Sequence, residues 1–336
     1  MSPSRSTTKK ILLTGATGLL GSNLLLALRA QGREVRCLLR PDSQSGLTKQ
    51  SGAEIIRGNL LRTADVRKAL KGCPVVIHAA AHTSQWPTGY VHYRPVNVEA
   101  TRLLLRESLD AGVERFLLVG SANAFGPGSK IHPGNESFPF LPARYHSGYM
   151  RSKYEAQQLV LYFTRQYGFP ALVVCPSFML GAHDLKPSSG QILLMAWKKQ
   201  LMACPPGGKN FVHVNDVVSG IIRALEAGET GQAYLLGHEN LSYAEFFRKM
   251  KTVCGYPKRL LPIPRALICG AGHAGSLFEL LSGKPAPLNR VNASLLATAN
   301  YYSPAKAVEQ LQLPQTPVEQ AIADALNWFD RTGRLK

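Results

Sequence analysis

Acidic residues are what the chain is shortest of. Its 336 residues hold 21 Asp and Glu against 39 Lys and Arg, a formal net charge of +18, which points to an acidic partner such as nucleic acid, anionic lipid or a phosphorylated ligand. The excess is spread out: 22 basic against 10 acidic side chains in residues 1–170, and 17 against 11 in residues 171–336. No basic block is interleaved with aromatics, so nucleic-acid binding is not expected, and a small anionic ligand plus general solubility accounts for the charge. Cysteine is sparse and unpatterned. Cys37, Cys73, Cys175, Cys204, Cys254 and Cys269 fall in no C-x-x-C or close Cys/His spacing, which argues against a disulfide framework and a metal site and for reduced core thiols. No apolar run is long enough for an integral membrane span. The polar start, residues 1–8, lacks the apolar core of a signal peptide, so a cytoplasmic chain with a frayed tail is expected. Low-complexity tracts are also missing, and 45% hydrophobic with 18% charged residues describes a globular chain with room for one large α/β unit or two lobes.

What is present begins at residue 10. Lys10-Ile11-Leu12-Leu13-Thr14 reads as a buried strand, Gly15, Gly18 and Gly21 follow with the spacing G-x-x-G-x-x-G, and Leu20, Leu24, Leu25 and Leu28 then recur with helical period. Strand, glycine turn and helix come in the order that holds a dinucleotide. Gly15 allows a tight turn, Gly18 lets the backbone approach a pyrophosphate, and Gly21 lets helix and strand pack closely, with the first helical N–H groups aimed at the phosphates.

The first half alternates strand and helix, with strands expected at 10–14, 34–39, 54–57, 75–80, 115–120 and 171–175 and left-handed helix caps at Gly32, Gly72, Gly112 and Gly168. The fold class is therefore α/β, a doubly wound parallel Rossmann sheet with a smaller C-terminal substrate-binding lobe. Residues 1–176 plus about 211–237 are assigned to the dinucleotide domain, and about 177–210 and 238–336 to the lobe. The segment from Phe211 is expected to cross back into the first domain. Ser242…Glu245 and Thr316…Glu319 each fit a capping box. Residues 265–281 are apolar with three glycines; a buried helix lining the smaller lobe is expected, a lid or a membrane-surface helix making peripheral contact being the alternatives.

A second constellation is Tyr149-Met150-Arg151-Ser152-Lys153, opening a helical pattern that runs to Gly168. A spacing of four puts phenol and ammonium on one helix face, where the lysine is expected to lower the tyrosine pKa and make Tyr149 a proton donor or acceptor. The expected fifth strand ends at Ser121, at the sheet edge where a hydroxyl can bind a substrate oxygen.

With these motifs the chain resembles the extended short-chain dehydrogenase/reductase family over nearly its whole length. Thr14-Gly15-Ala16-Thr17-Gly18-Leu19-Leu20-Gly21 is similar to the family's T-G-x-x-G-x-x-G, His78-Ala79-Ala80-Ala81 to its H-x-A-A, Asn97-Val98 to its N-V, and 211–216 to its V-H-V-x-D segment. The resemblance implies catalytic roles for Ser121, Tyr149 and Lys153. It implies cofactor contacts from Thr14, Thr17, Leu19, Leu20, Ala79, Ala80 and Ala81, a nicotinamide approach by Pro176, Ser177 and Phe178, and a homodimer. Asn59-Leu60 stands where many members have Asp-Leu beside the adenine.

At the end of the second strand a carboxylate would select a free ribose hydroxyl, whereas Arg40, with Arg36 nearby, favours NADP(H) over NAD(H). Ala122-Asn123 after Ser121 lacks the acidic pair of sugar-nucleotide dehydratases. Residues 176–190 resemble dihydroflavonol-4-reductase-like members, which implies reduction of a ketone or aldehyde on a small hydrophobic or acyl-bearing substrate. A nucleotide-sugar epimerase is the runner-up, and a non-catalytic NADP(H)-binding sensor or scaffold a third reading. Candidate substrate contacts are His82, Gln85, Trp86, Asn97, Asn123 and Ser189.

Overall fold

The structure, a computed structural model, describes residues 9–43, 46–84, 86–141 and 147–335. Its centre is a seven-stranded parallel sheet: β1 (Ile11–Thr14), β2 (Val35–Leu39), β3 (Glu54–Arg57), β4 (Val75–His78), β5 (Arg115–Val119), β6 (Ala171–Pro176) and, after the excursion described below, β10 (Ala233–Leu236). β1 and β6 are buried at every position, the continuous apolar character of strands covered on both faces. The spatial order is β10-β6-β5-β4-β1-β2-β3. The chain moves outward from β1 to β3 and then returns to the other side of β1, and this reversal opens a crevice at the strands' carboxyl ends. Leu24, Leu28, Val217 and Ile221 belong to the core on one face, and Leu104, Leu105, Val160 and Phe163 to the core on the other. The glycines expected to end helices do so with positive φ, Gly168 at +60° after the helix Gly148–Tyr167.

The smaller lobe has its own sheet, in which β9 (Gly208–His213) is flanked by β7 (Phe178–Leu180), β11 (Glu239–Ser242) and β13 (Ala299–Asn300). A separate ribbon pairs β8 (Leu201–Cys204) with β12 (Arg259–Pro262). β9 does not rejoin the large sheet as the sequence suggests. Its alternating side chains instead serve two cores: Val212 joins the first domain's core, while Phe211 stacks on Phe246 at 4.4 Å among the lobe's aromatics. The return is made by the next helix, Val214–Ala227, and by β10.

Two further expectations are corrected. The Ser242–Glu245 capping box forms, but Thr316 caps nothing. Its hydroxyl and amide both donate to Asp216, 2.8 Å each, and the helix Val318–Arg331 starts at Pro317 with Val318 N–H on Glu239. A buried carboxylate from the first turn of the distant helix Val214–Ala227 outcompetes the local box. The apolar stretch forms the helix Arg265–Ser282, yet only Ile268 and Gly272 are buried. It docks through a narrow seam: a Cβ on Gly272 would meet Ala293 at 2.3 Å, and one on Gly275 would lie 1.7 Å from the Leu288 carbonyl oxygen. Glycine, and not leucine, faces the lobe. Among the described residues no helix is long and apolar enough to cross a membrane, and no His/Cys/Asp/Glu cluster could hold a metal ion.

Candidate active site

The glycine turn leaves β1 at the crevice. Gly15 has φ +76°, and a Cβ there would sit 2.6 Å from the backbone of Ala79 and Ala80; one on Gly21 would sit 2.1 Å from the Gly15 carbonyl oxygen. Gly18 differs, because a Cβ there would meet nothing closer than 3.6 Å. It precedes the helix Leu19–Ala30, whose first turn has neither a side-chain cap nor an acidic residue. Gly15 and Gly21 thus shape the turn, and Gly18 keeps open the space in front of an uncapped helix N-terminus, which attracts an anion. The residues fit a dinucleotide pyrophosphate.

Ser147 caps the helix Gly148–Tyr167 by accepting from Met150 N–H, and the first turn of that helix brings Tyr149 to the crevice. There the phenol lies beside the Ser121 side chain, which stands one residue beyond Gly120 at the end of β5. Ser121 Oγ also accepts from Asn123 N–H at 3.3 Å, and the short turn Ala122–Ala124 carries no acid. Lys153 lies one helical turn further on, buried, its Nζ donating to the Val119 carbonyl at 2.7 Å. The three residues are brought together as the motifs suggest, but the expected electrostatics are reversed. Burial pushes the Tyr149 phenol above its ordinary value of 10, only partly offset by the neighbouring Ser121. Burial also pulls Lys153 down to about 8. With its ammonium on a backbone carbonyl, the lysine does not lower the phenol's pKa.

A buried chain of hydrogen bonds joins this site to the glycine turn. Thr14 Oγ1 donates to His78 Nδ1 (2.7 Å), His78 Nε2 donates to Thr101 Oγ1 (3.0 Å), and Thr101 donates to the Asn97 carbonyl (2.8 Å). Asn97 Nδ2 then donates to Ser152 Oγ (2.9 Å), which donates to the Tyr149 carbonyl (2.7 Å). Burial holds His78 near 3, so it is neutral, and each hydroxyl has a donor and an acceptor role in this bonding. Asn97 also holds the backbone of His82 from both sides, accepting its N–H and donating to its carbonyl. It occupies a π-helical turn, Pro95–Glu99, a local widening common at functional sites.

Asn97 is therefore spent on positioning and presents no free amide as a substrate wall. His82 keeps its ring edge-on to Tyr93, which is in turn edge-on to Tyr149 at 5.9 Å. His82 Nε2 and Ser177 Oγ are buried and have no hydrogen-bond partner among the described residues, two polar atoms beside the crevice that a bound ligand can satisfy. Trp86 and Ser189 are half-buried in loops, the Ser189 loop being folded around Asp184, which accepts from Ser188 N–H and Gly190 N–H. Gln85 lies outside the described residues. Spacing alone did not point to Tyr93, Ser152 or Asp184; the Asp184-x-x-x-Ser188 turn pattern was the one available signal.

The cofactor residues of β2 divide. Arg40 is exposed at the strand's carboxyl end, 3.8 Å from Asp42, in a loop that Arg57 clamps by donating to the carbonyls of Arg40, Pro41 and Ser43. Arg36 is withdrawn from the set: its guanidinium bonds the carbonyls of Ala69 and Lys71 and lies 3.0 Å from Glu54. Four residues earlier on the same strand, it faces a helix end and not the crevice. Asn59 accepts from Leu61 N–H, while its own N–H goes to Asp65. A cavity of about 660 Å³ at the opposite sheet edge is lined by the paired charges Lys9–Glu114 and Arg33–Glu226 and holds none of these groups.

A doubly wound sheet with a glycine turn at its switch point and a serine, tyrosine and lysine converging at the end of β5 defines the short-chain dehydrogenase/reductase class of dinucleotide-dependent oxidoreductases. The chain belongs to the NAD dependent epimerase/dehydratase family, whose model matches residues 11–237. It is 33% identical to a Synechocystis sp. protein named "Putative dihydroflavonol 4-reductase", covering 96% of this chain and 95% of that one. It is 31% identical to a Stigmatella aurantiaca ketoreductase of a farnesylated dihydroquinoline oxide, covering 97% and 98%. The crystal structure of gox2253 superposes with a TM-score of 0.84 at 31% identity, covering 98% and 100%.

Proposed function

We propose that the chain is an NADP(H)-dependent reductase that converts a ketone or aldehyde on a small hydrophobic or acyl-bearing molecule to an alcohol. The observation that carries this is a protonated phenol beside Ser121 at the crevice, with no carboxylate in the turn that follows. Gly15, Gly18 and the uncapped helix would hold the pyrophosphate, Arg40 the 2′-phosphate, Lys153 the nicotinamide ribose, and Pro176, Ser177 and Phe178 the nicotinamide. When bound, that group supplies the hydride. Ser121 orients the carbonyl oxygen, and Tyr149 gives up its proton as negative charge develops there. A donor whose pKa sits above 10 in the resting site is still the matched acid for an alkoxide, which is far more basic. The tyrosinate left behind is stabilised by Ser121, the one neighbour that favours the phenolate, and is reprotonated from solvent.

The relatives named as reductases support reduction, and the ketoreductase acting on a farnesylated ring supports a hydrophobic substrate. The family's name keeps epimerisation as the second reading. Incubation with NADPH and a panel of hydrophobic ketones and nucleotide sugars separates them. A reductase consumes NADPH and yields alcohol in stoichiometric amounts; an epimerase interconverts sugars with no net consumption, and a sensor binds without either. Tyr149→Phe should bind NADPH normally and lose roughly 10²- to 10⁴-fold in turnover. Wild-type turnover by that variant would refute the mechanism.

A further inference from the structure

The helix Arg265–Ser282 is inside out. Its outward face exposes Leu267 (65%), Leu277 (56%), Phe278 (50%), Leu280 (80%) and Leu281 (79%), whereas its acid and one of its serines turn inward. Glu279 accepts from Ala286 N–H and Asn289 Nδ2, and Ser276 accepts from Arg290 N–H. The polar side chains left outside satisfy themselves on their own helix, His273 Nδ1 on the Cys269 carbonyl and Ser282 Oγ on the Phe278 carbonyl. A surface helix built for water shows the opposite arrangement, and an apolar patch of this kind marks an interaction surface.

The charge around it selects the partner. Residues 255–298 contain five cations, Lys258, Arg259, Arg265, Lys284 and Arg290, against the single acid Glu279, and none of the five is in an ion pair among the described residues. A second copy meeting this face about a two-fold axis would bring the same cations together with no acid to offset them. We infer that this helix is a membrane-surface anchor, its leucines and Phe278 entering the interface of an anionic bilayer while Arg265, Lys284 and Arg290 meet the lipid phosphates. The inference stands apart from the proposed reaction.

Flotation of the purified full chain with phosphatidylcholine vesicles, with and without phosphatidylglycerol, tests it. Wild type should float with the anionic vesicles, and added salt should release it. Lys284→Gln with Arg290→Gln should weaken the partition by about 30-fold, at about fivefold per cation. Leu277→Glu with Leu281→Glu should abolish it, while circular dichroism and melting temperature stay unchanged because both side chains point outward. Failure of wild type to float, equal flotation of the glutamate variant, or binding indifferent to lipid charge would overturn the inference. So would a wild-type dimer that the glutamate variant dissociates while vesicle affinity is absent, because a second copy would then cover the face.

Discussion

Replacing Lys153 with methionine should remove activity and stabilise the fold. Lys153 is 4% exposed, and burial brings its ammonium from 10.5 down to about 8. Keeping it charged at neutral pH therefore costs about 3 kcal/mol relative to the unfolded chain, at 1.36 kcal/mol per unit. Methionine has a similar shape and no charge; losing the bond to the Val119 carbonyl takes back about 1 kcal/mol. The net gain is about 2 kcal/mol, or about 3–6 °C in melting temperature. Because the folded pKa lies below the unfolded one, the unfolded chain holds the extra proton between pH 8 and 10.5, so wild-type stability climbs through that window. Below pH 8 the full cost is present, and above 10.5 it is gone. The variant's advantage should be constant below pH 8 and shrink as pH rises through the window. Thermal and urea denaturation of both proteins at pH 7 and pH 10 measures it. A variant that melts below wild type at pH 7, or an offset equal at both pH values, would refute the reasoning.

The glycine turn separates two kinds of failure: Gly21→Ala, with its Cβ 2.1 Å from a carbonyl oxygen, should fold poorly, whereas Gly18→Ala, with 3.6 Å of clearance, should keep its melting temperature and bind NADPH more weakly. Arg40→Ala should lower kcat/KM for NADPH by roughly tenfold or more and leave the NADH value unchanged; equal efficiency with both cofactors, unaffected by the substitution, would remove Arg40 from the site. Asn97→Ala strips the partners of two His82 backbone groups and of Ser152, so denaturation should show a loss of about 2–4 kcal/mol, and kcat should fall more than KM as Tyr149 loses its support.

What could be read from the chain was local. A strand followed by glycines and a leucine repeat, or Tyr149 and Lys153 four apart on one helix, depends on neighbours a few residues away, and spacing encodes such geometry directly. The misreadings share one cause, a partner distant in sequence. Asp216 takes Thr316 from its capping box across 100 residues; Arg36 is claimed by a helix end more than 30 residues on; Gly272 and Gly275 turn an apolar helix leucine-side out because residues 288–293 fit only against glycine. The Tyr149 pKa failed for the same reason, since the lysine's proton goes to Val119, a strand residue 34 positions earlier.

The same partners explain how two motifs 135 residues apart act as one site. Thr14 is the last residue of β1 and enters the glycine turn; Tyr149 opens a helix packed on the far side of the crevice. The bonds through His78, Thr101, Asn97 and Ser152 fix one relative to the other through groups that are all buried and all paired. A buried network of this kind is costly when any member is left unsatisfied, which makes intermediate positions unfavourable and narrows the range of separations between turn and phenol. A dinucleotide spans a fixed length, so a proton donor at one end is useful only if the pyrophosphate site at the other end holds still relative to it. His78, uncharged at every pH near neutrality, then has a reason to be a histidine: a neutral imidazole accepts at one edge and donates at the other, joining Thr14 to Thr101 in a single rigid step.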